Sequence, residues 1–127
     1  MPPYVPPTEQ LVVEVQARDL ARSLDFYRAL GFEVQSVAAD FAVLAWENHQ
    51  FFLEPRPDLP APIDPPQANV RIMVPDVDRY WAIAQQIGAR IVKPIDDRYY
   101  GLRDFTIADP DGFGLRFGSP LIEHAAA

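Results

Sequence analysis

Thiol and imidazole side chains are scarce in this sequence. Among 127 residues there is no cysteine and only two histidines, His49 and His124. Thiol nucleophiles and disulfides are therefore out, which fits a reducing cytoplasm. His49 stands in the turn-like stretch ENHQ, and His124 in a tail before three alanines. The chain has no HExxH pair, no Gly-rich phosphate loop and no defensible Ser/His/Asp arrangement. What remains is charge and aromatic surface. The stretch DPDGFGLRFG, residues 109–118, reads as a tight turn feeding a short strand, with Arg116 inside an otherwise apolar run. Tyr99 and Tyr100 precede Gly101 in a loop after the charged Asp96-Asp97-Arg98, with Asp104 close behind. Flat aromatic faces suit planar heterocycles, and acid nearby suits a cationic tail.

The elements that must position these residues come in two copies. Residues 11–16 alternate and are rich in valine, which predicts a strand. Asp19 is an N-cap, Leu20, Leu24 and Tyr27 recur at helical spacing, and Gly31 stops the helix. A strand resumes over 32–37. Residues 69–92 repeat the plan: strand, Asp76 cap, a helix carrying Val77, Trp81 and Ala84, a Gly88 stop, strand. Asp19 to Asp76 and Gly31 to Gly88 are both offsets of 57, which marks an internal repeat. Each copy continues into two more strands, 41–46 and 51–54 in the first, 105–108 and 114–117 in the second. The predicted architecture is α+β: two βαβββ modules whose curved sheets wrap a groove. Module one covers about 9–54 and module two about 67–120. The Pro-rich stretch 55–66 between them can hold neither a helix nor a central strand and reads as an extended linker.

Composition bounds the class further. A single compact domain is expected at this length, and 49% hydrophobic residues are enough for a core. No apolar run approaches the ~20 residues of a membrane span. MPPYVPPTEQ has no basic or apolar region of a signal peptide and reads as a stiff lead-in. A formal charge of −7 disfavours nucleic acid, which needs a basic footprint.

VQARDLARSLDFYRALGFEV together with GLRDFTIADPDGFGLRFG resembles the vicinal-oxygen-chelate superfamily over about residues 9–120. That superfamily includes glyoxalase I, extradiol dioxygenases, and fosfomycin- and bleomycin-resistance proteins. Its enzymes bind a divalent metal in the groove, with one ligand from the first and one from the last strand of each module. By this resemblance the ligand positions fall on Val12, on Phe51 or Phe52, on Asn69 and on Arg116. Metal sites take carboxylate, carbonyl, water or imidazole. Only Asn69 offers such a donor, so no metal and no other cofactor is expected, and Arg116 stands where a carboxylate would.

If Val12 and Asn69 point into the groove, strand alternation sends Glu14, Gln16, Arg71 and Met73 there too. Glu14 would then be held by Arg71 or Arg116 in place of a metal. Glu54 reads as a carboxylate at the rim. The resemblance carries a ligand-lining role to Tyr100. The expected ligand-binding residues are thus Glu14, Phe51, Phe52, Glu54, Asn69, Arg71, Tyr100 and Arg116, with no catalytic residue. The favoured reading is a metal-independent small-molecule binder of the bleomycin-resistance-like kind, taking a planar or cationic, antibiotic-like ligand as a cytoplasmic homodimer. The alternative is a glyoxalase-like lyase or isomerase, or a dioxygenase, with an atypical site. A metal-free enzyme would use Glu14 as base, but arginines nearby would lower its pKa and weaken it in that role.

Overall fold

The computed structural model describes residues 4–121; His124 lies outside them. The chain divides into two compact units between residues 61 and 62. In the first unit β1 (Val13–Ala17), α1 (Leu20–Leu30), β2 (Glu33–Ala38), β3 (Phe41–Trp46) and β4 (His49–Pro55) follow a short 3-10 turn at Pro7–Glu9. Its sheet has the order β1-β4-β3-β2, with β1 parallel to β4 and the other pairs antiparallel. In the second unit β5 (Asn69–Met73), α2 (Val77–Gln86), β6 (Arg90–Asp97), β7 (Leu102–Ala108) and β8 (Gly114–Pro120) repeat the topology as β5-β8-β7-β6. The expected α+β fold of two βαβββ modules is what forms.

The helices begin and end where the sequence places them, for reasons that differ between the copies. Asp19 is extended and its Oδ1 accepts a hydrogen bond from the Arg22 N–H at 3.2 Å. Gly31 closes α1 at φ 113°, a left-handed conformation only glycine adopts at little cost. Asp76 occupies the matching N-cap of α2, but its side chain makes no capping bond. Ser119 of β8 does the work instead: its Oγ accepts from Val77 N–H at 2.9 Å and donates to the Val74 carbonyl at 2.7 Å.

Each sheet buries one face under its own helix. In the first unit Leu24, Tyr27 and Leu30 of α1 meet Val15, Leu44, Phe51 and Leu53 in the core. Tyr27, Phe32 and Phe51 form a mutual ring cluster with centroids 5.1–5.4 Å apart. In the second unit Phe117 stacks between Tyr80 and Phe105, and Trp81 meets Phe105 edge-on.

Several strands run longer than their apolar stretches predict. β4 starts at His49, opposite Trp46, so His49 belongs to the strand end and the turn proper is Glu47-Asn48. β7 starts at Leu102 rather than 105, and β6 reaches Asp97 through Pro94. Pro94 is tolerated because β6 is an edge strand whose pairing is irregular on both sides of Lys93. The Pro-rich stretch is not one free linker. Pro55 ends β4, and the Arg18 guanidinium donates to the Leu59 and Pro60 carbonyls at 2.6–3.0 Å. Beyond the unit boundary, Asp64 pairs with Arg90, and Pro62 packs where a side chain on Gly112 would have to sit.

Candidate functional site

The helix-free face of the second sheet carries the densest chemistry. Leu115 and Phe117 of β8 point to the α2 side and are fully buried, so Arg116 between them faces the other way. The same alternation on β7 sends Phe105 and Ile107 to the helix and Asp104 and Thr106 to the open face. Cross-strand register sets Arg71 opposite Arg116, Arg116 opposite Thr106, and Thr106 opposite Lys93. One row across four strands therefore reads Arg71, Arg116, Thr106, Lys93.

Asp104 is the hub of this face. It is 1% exposed. Its Oδ1 accepts from Arg98 Nε at 2.8 Å; its Oδ2 accepts from Tyr100 OH at 2.6 Å and from Arg116 Nε and Nη2 at 3.0 and 2.7 Å. Arg116 Nη2 also donates to the Tyr100 hydroxyl at 2.8 Å, and the guanidinium lies 5.2 Å over the tyrosine ring. Burial pushes the Asp104 carboxyl up, but hydrogen bonds from Tyr100, Arg98 and Arg116, with the Arg116 charge, outweigh it and hold the pKa below the usual carboxylate range. Burial, then the hydrogen bond to Asp104 and its charge, raise the Tyr100 hydroxyl. The bond to Asp104 raises Arg116. The clamp is thus fixed as one anion between two cations, with a neutral phenol bridging.

Tyr100 is 40% exposed and Tyr99 97%, their rings edge-to-face with centroids 5.1 Å apart. Beside them, two of the three acids expected to greet a cationic ligand are already engaged, while Asp96 lies exposed opposite Asp104. Asp104 is held by two arginines, and Asp97 pairs with Arg103, which also binds Asp78. A cavity of about 250 Å³ opens on this face, lined by Pro66, Asn69, Val92, Lys93, Thr106 and Arg116.

On the first sheet the register decides between the two neighbouring phenylalanines. Glu14 lies opposite Phe52, and Gln16 opposite Glu54. These four share the helix-free face, where Phe52 meets Phe41 with ring centroids 4.9 Å apart. Phe51 is 4% exposed against Tyr27 and Phe32. Phe51 is therefore corrected from a lining residue to a core residue. The eight expected positions divide accordingly: Glu14, Phe52 and Glu54 share the open face of the first sheet, while Asn69, Arg71, Arg116 and the adjoining Tyr100 gather on the second. The partner of Arg116 is Asp104 of its own sheet, a residue read from the sequence only as local acid. The alternation Asp104, Phe105, Thr106, Ile107 next to a strand bearing Arg116 is the signal that finds it.

The donor set at the positions assigned to a metal does not suit one. Val12 and Phe52 offer no lone pair, Asn69 offers one amide oxygen, and Arg116 offers a positive charge. Among the described residues, no three His, Cys, Asp or Glu side chains form a group able to hold a metal ion.

Comparison with known proteins adds three observations. The family model described as Glyoxalase/Bleomycin resistance protein/Dioxygenase superfamily matches residues 10–117. No curated protein matches the chain. Solved structures with a similar fold include TioX from Micromonospora sp. ML1, 26% identical over 87% of this chain and 98% of that one, with a TM-score of 0.72. A bleomycin resistance determinant encoded on the transposon Tn5 is 20% identical, covering 90% of this chain and 99% of that one, at a TM-score of 0.72. A bleomycin-binding protein complexed with bleomycin is 20% identical, covering 89% and 99%, at a TM-score of 0.70.

Proposed function

The chain belongs to the glyoxalase/bleomycin resistance protein/dioxygenase superfamily, and from that premise we propose that it binds a planar, antibiotic-like small molecule without a metal and without chemical turnover. The observation that carries this reading is Arg116. It stands at the last-strand position where the resemblance puts a metal carboxylate, and Asp104 and Tyr100 lock it there. A guanidinium so fixed repels a divalent cation. Exposed aromatic surface at Tyr99 and Tyr100 supplies stacking area, which needs no catalytic pKa. The bleomycin complex of one structural neighbour supports a binder over an enzyme. The reading includes a homodimer, which sedimentation would register as twice 14.3 kDa.

The test is thermal unfolding with bleomycin, flavins and planar aromatic metabolites, each with and without EDTA. A ligand at a hundred times its Kd stabilises the native state by about 2.7 kcal/mol, an upward shift of several degrees in Tm. The expected result is such a shift for at least one planar compound, unchanged by EDTA. A shift that EDTA abolishes and a divalent metal restores overturns metal independence, and no shift with any compound overturns the binder.

A further inference from the structure

We propose that the ligand of this protein carries an anionic group, a carboxylate, phosphate or sulfonate, seated on the open face of the second sheet between Lys93 and Arg116 with Arg71 alongside. This rests on the binding reading above and deepens it. Three features of the sheet support it. First, the row Arg71, Arg116, Thr106, Lys93 sets like charges on neighbouring strands. Like charges opposite one another destabilise a sheet, so the arrangement serves something other than folding. Second, little counter-charge is left on this face: Asp104 is shared by Arg98 and Arg116, and the other carboxylate there is exposed Asp96, opposite Asp104. Arg71 and Lys93 make no ion pair with a described residue. Third, every polar group lining the 250 Å³ cavity can donate, and none is acidic: the Asn69 amide, the Lys93 ammonium, the Thr106 hydroxyl and the Arg116 guanidinium.

Arg116 is built for such a role. Its Nε and Nη2 hold Asp104 and Tyr100, and its Nη1 group makes no hydrogen bond to a described residue. The clamp thus fixes the guanidinium plane and leaves one amino group to donate outward. Gly114 and Gly118 flank it on the same strand face, so no neighbouring side chain on β8 covers it. The cavity is smaller than the ~300–1,000 Å³ that encloses a whole drug-sized ligand; its size suits one charged end of a larger molecule.

The test uses calorimetry with 2-naphthoate, 2-naphthamide and 2-naphthylmethylammonium, together with inorganic phosphate followed by the amide resonances of Thr106 and Arg116. The expected order is naphthoate at least tenfold tighter than the amide, with the ammonium weakest. Lys93→Gln, an exposed change that leaves the core intact, weakens naphthoate about tenfold and the amide less than twofold; Arg71→Gln does the same to a smaller degree. An amide or ammonium that binds as tightly as naphthoate overturns the proposal, as does naphthoate binding unaffected by both variants. Failure of the underlying reading looks different. If phosphate moves the Thr106 and Arg116 resonances in the natural protein but not in Lys93→Gln, while naphthoate binds no tighter than phosphate, the anion site stands and the aromatic binder falls. No response to either phosphate or naphthoate overturns the anion site itself.

Discussion

Asp104 shows how one buried carboxylate can organise a surface. Four hydrogen bonds from three side chains converge on it, and two of those side chains carry charge. Removing one member of a buried ion pair costs more than the pair contributes, because the survivors keep their desolvation without their partner. Asp104→Asn leaves Arg98 and Arg116 facing each other and should cost about 3 kcal/mol of stability at neutral pH, measured by urea unfolding. The pH dependence follows from the lowered pKa. A carboxyl depressed in the folded state contributes fully above its unfolded value of about 3.9 and loses that contribution as pH falls below it. The stability gap between the natural protein and Asp104→Asn should therefore narrow as pH drops through that range. A gap constant down to about pH 2 would refute the charged clamp.

At the scale of elements, the two modules solve the same problem with different atoms. Asp19 caps α1 by itself, whereas Asp76 at the equivalent position leaves the task to Ser119 on β8. Ser119→Ala strands the Val77 N–H and the Val74 carbonyl together, at a cost of about 1–2 kcal/mol. Asp76→Ala should cost under about 0.5 kcal/mol, since no capping bond is lost. Chemical denaturation of the two variants decides it, and a larger loss at Asp76 would contradict the geometry. The strand β4 offers a second comparison. Phe51 fills the core against α1, and Phe52, one residue on, faces the opposite side. Phe51→Ala should cost about 3–5 kcal/mol. Phe52→Ala should cost about 1 kcal/mol, the smaller loss of a half-buried ring.

At the scale of the whole molecule, an acidic chain carries a basic patch. The net charge is −7, yet the cavity on the second sheet is lined only by neutral and cationic residues. Composition averages over the surface, whereas a ligand meets one face. The expectation of a cationic ligand rested on Asp96, Asp97 and Asp104 being close in sequence to Tyr100. The fold turns Asp104 into an internal counter-ion and gives Asp97 to Arg103, so of the three only exposed Asp96 stays outside an ion pair with a described residue.

The repeat, the α+β class and the superfamily could all be read from the linear chain, because each rests on local signals. An offset of 57 between cap and stop residues, helical and strand periodicity, and turn chemistry at Asp109 to Gly112 all act within a few residues of themselves. The strand extensions at Arg103-Asp104 and across Pro94 could not be read, since their residues favour strands only when a paired neighbour and an edge position permit it. Nor could the choice between Phe51 and Phe52, or the partnership of Arg116 with Asp104 instead of a glutamate. Those depend on register, and a one-residue slip exchanges the faces of an entire strand. Register is set by pairing between strands far apart in the chain, so only the tertiary structure decided which side chains meet.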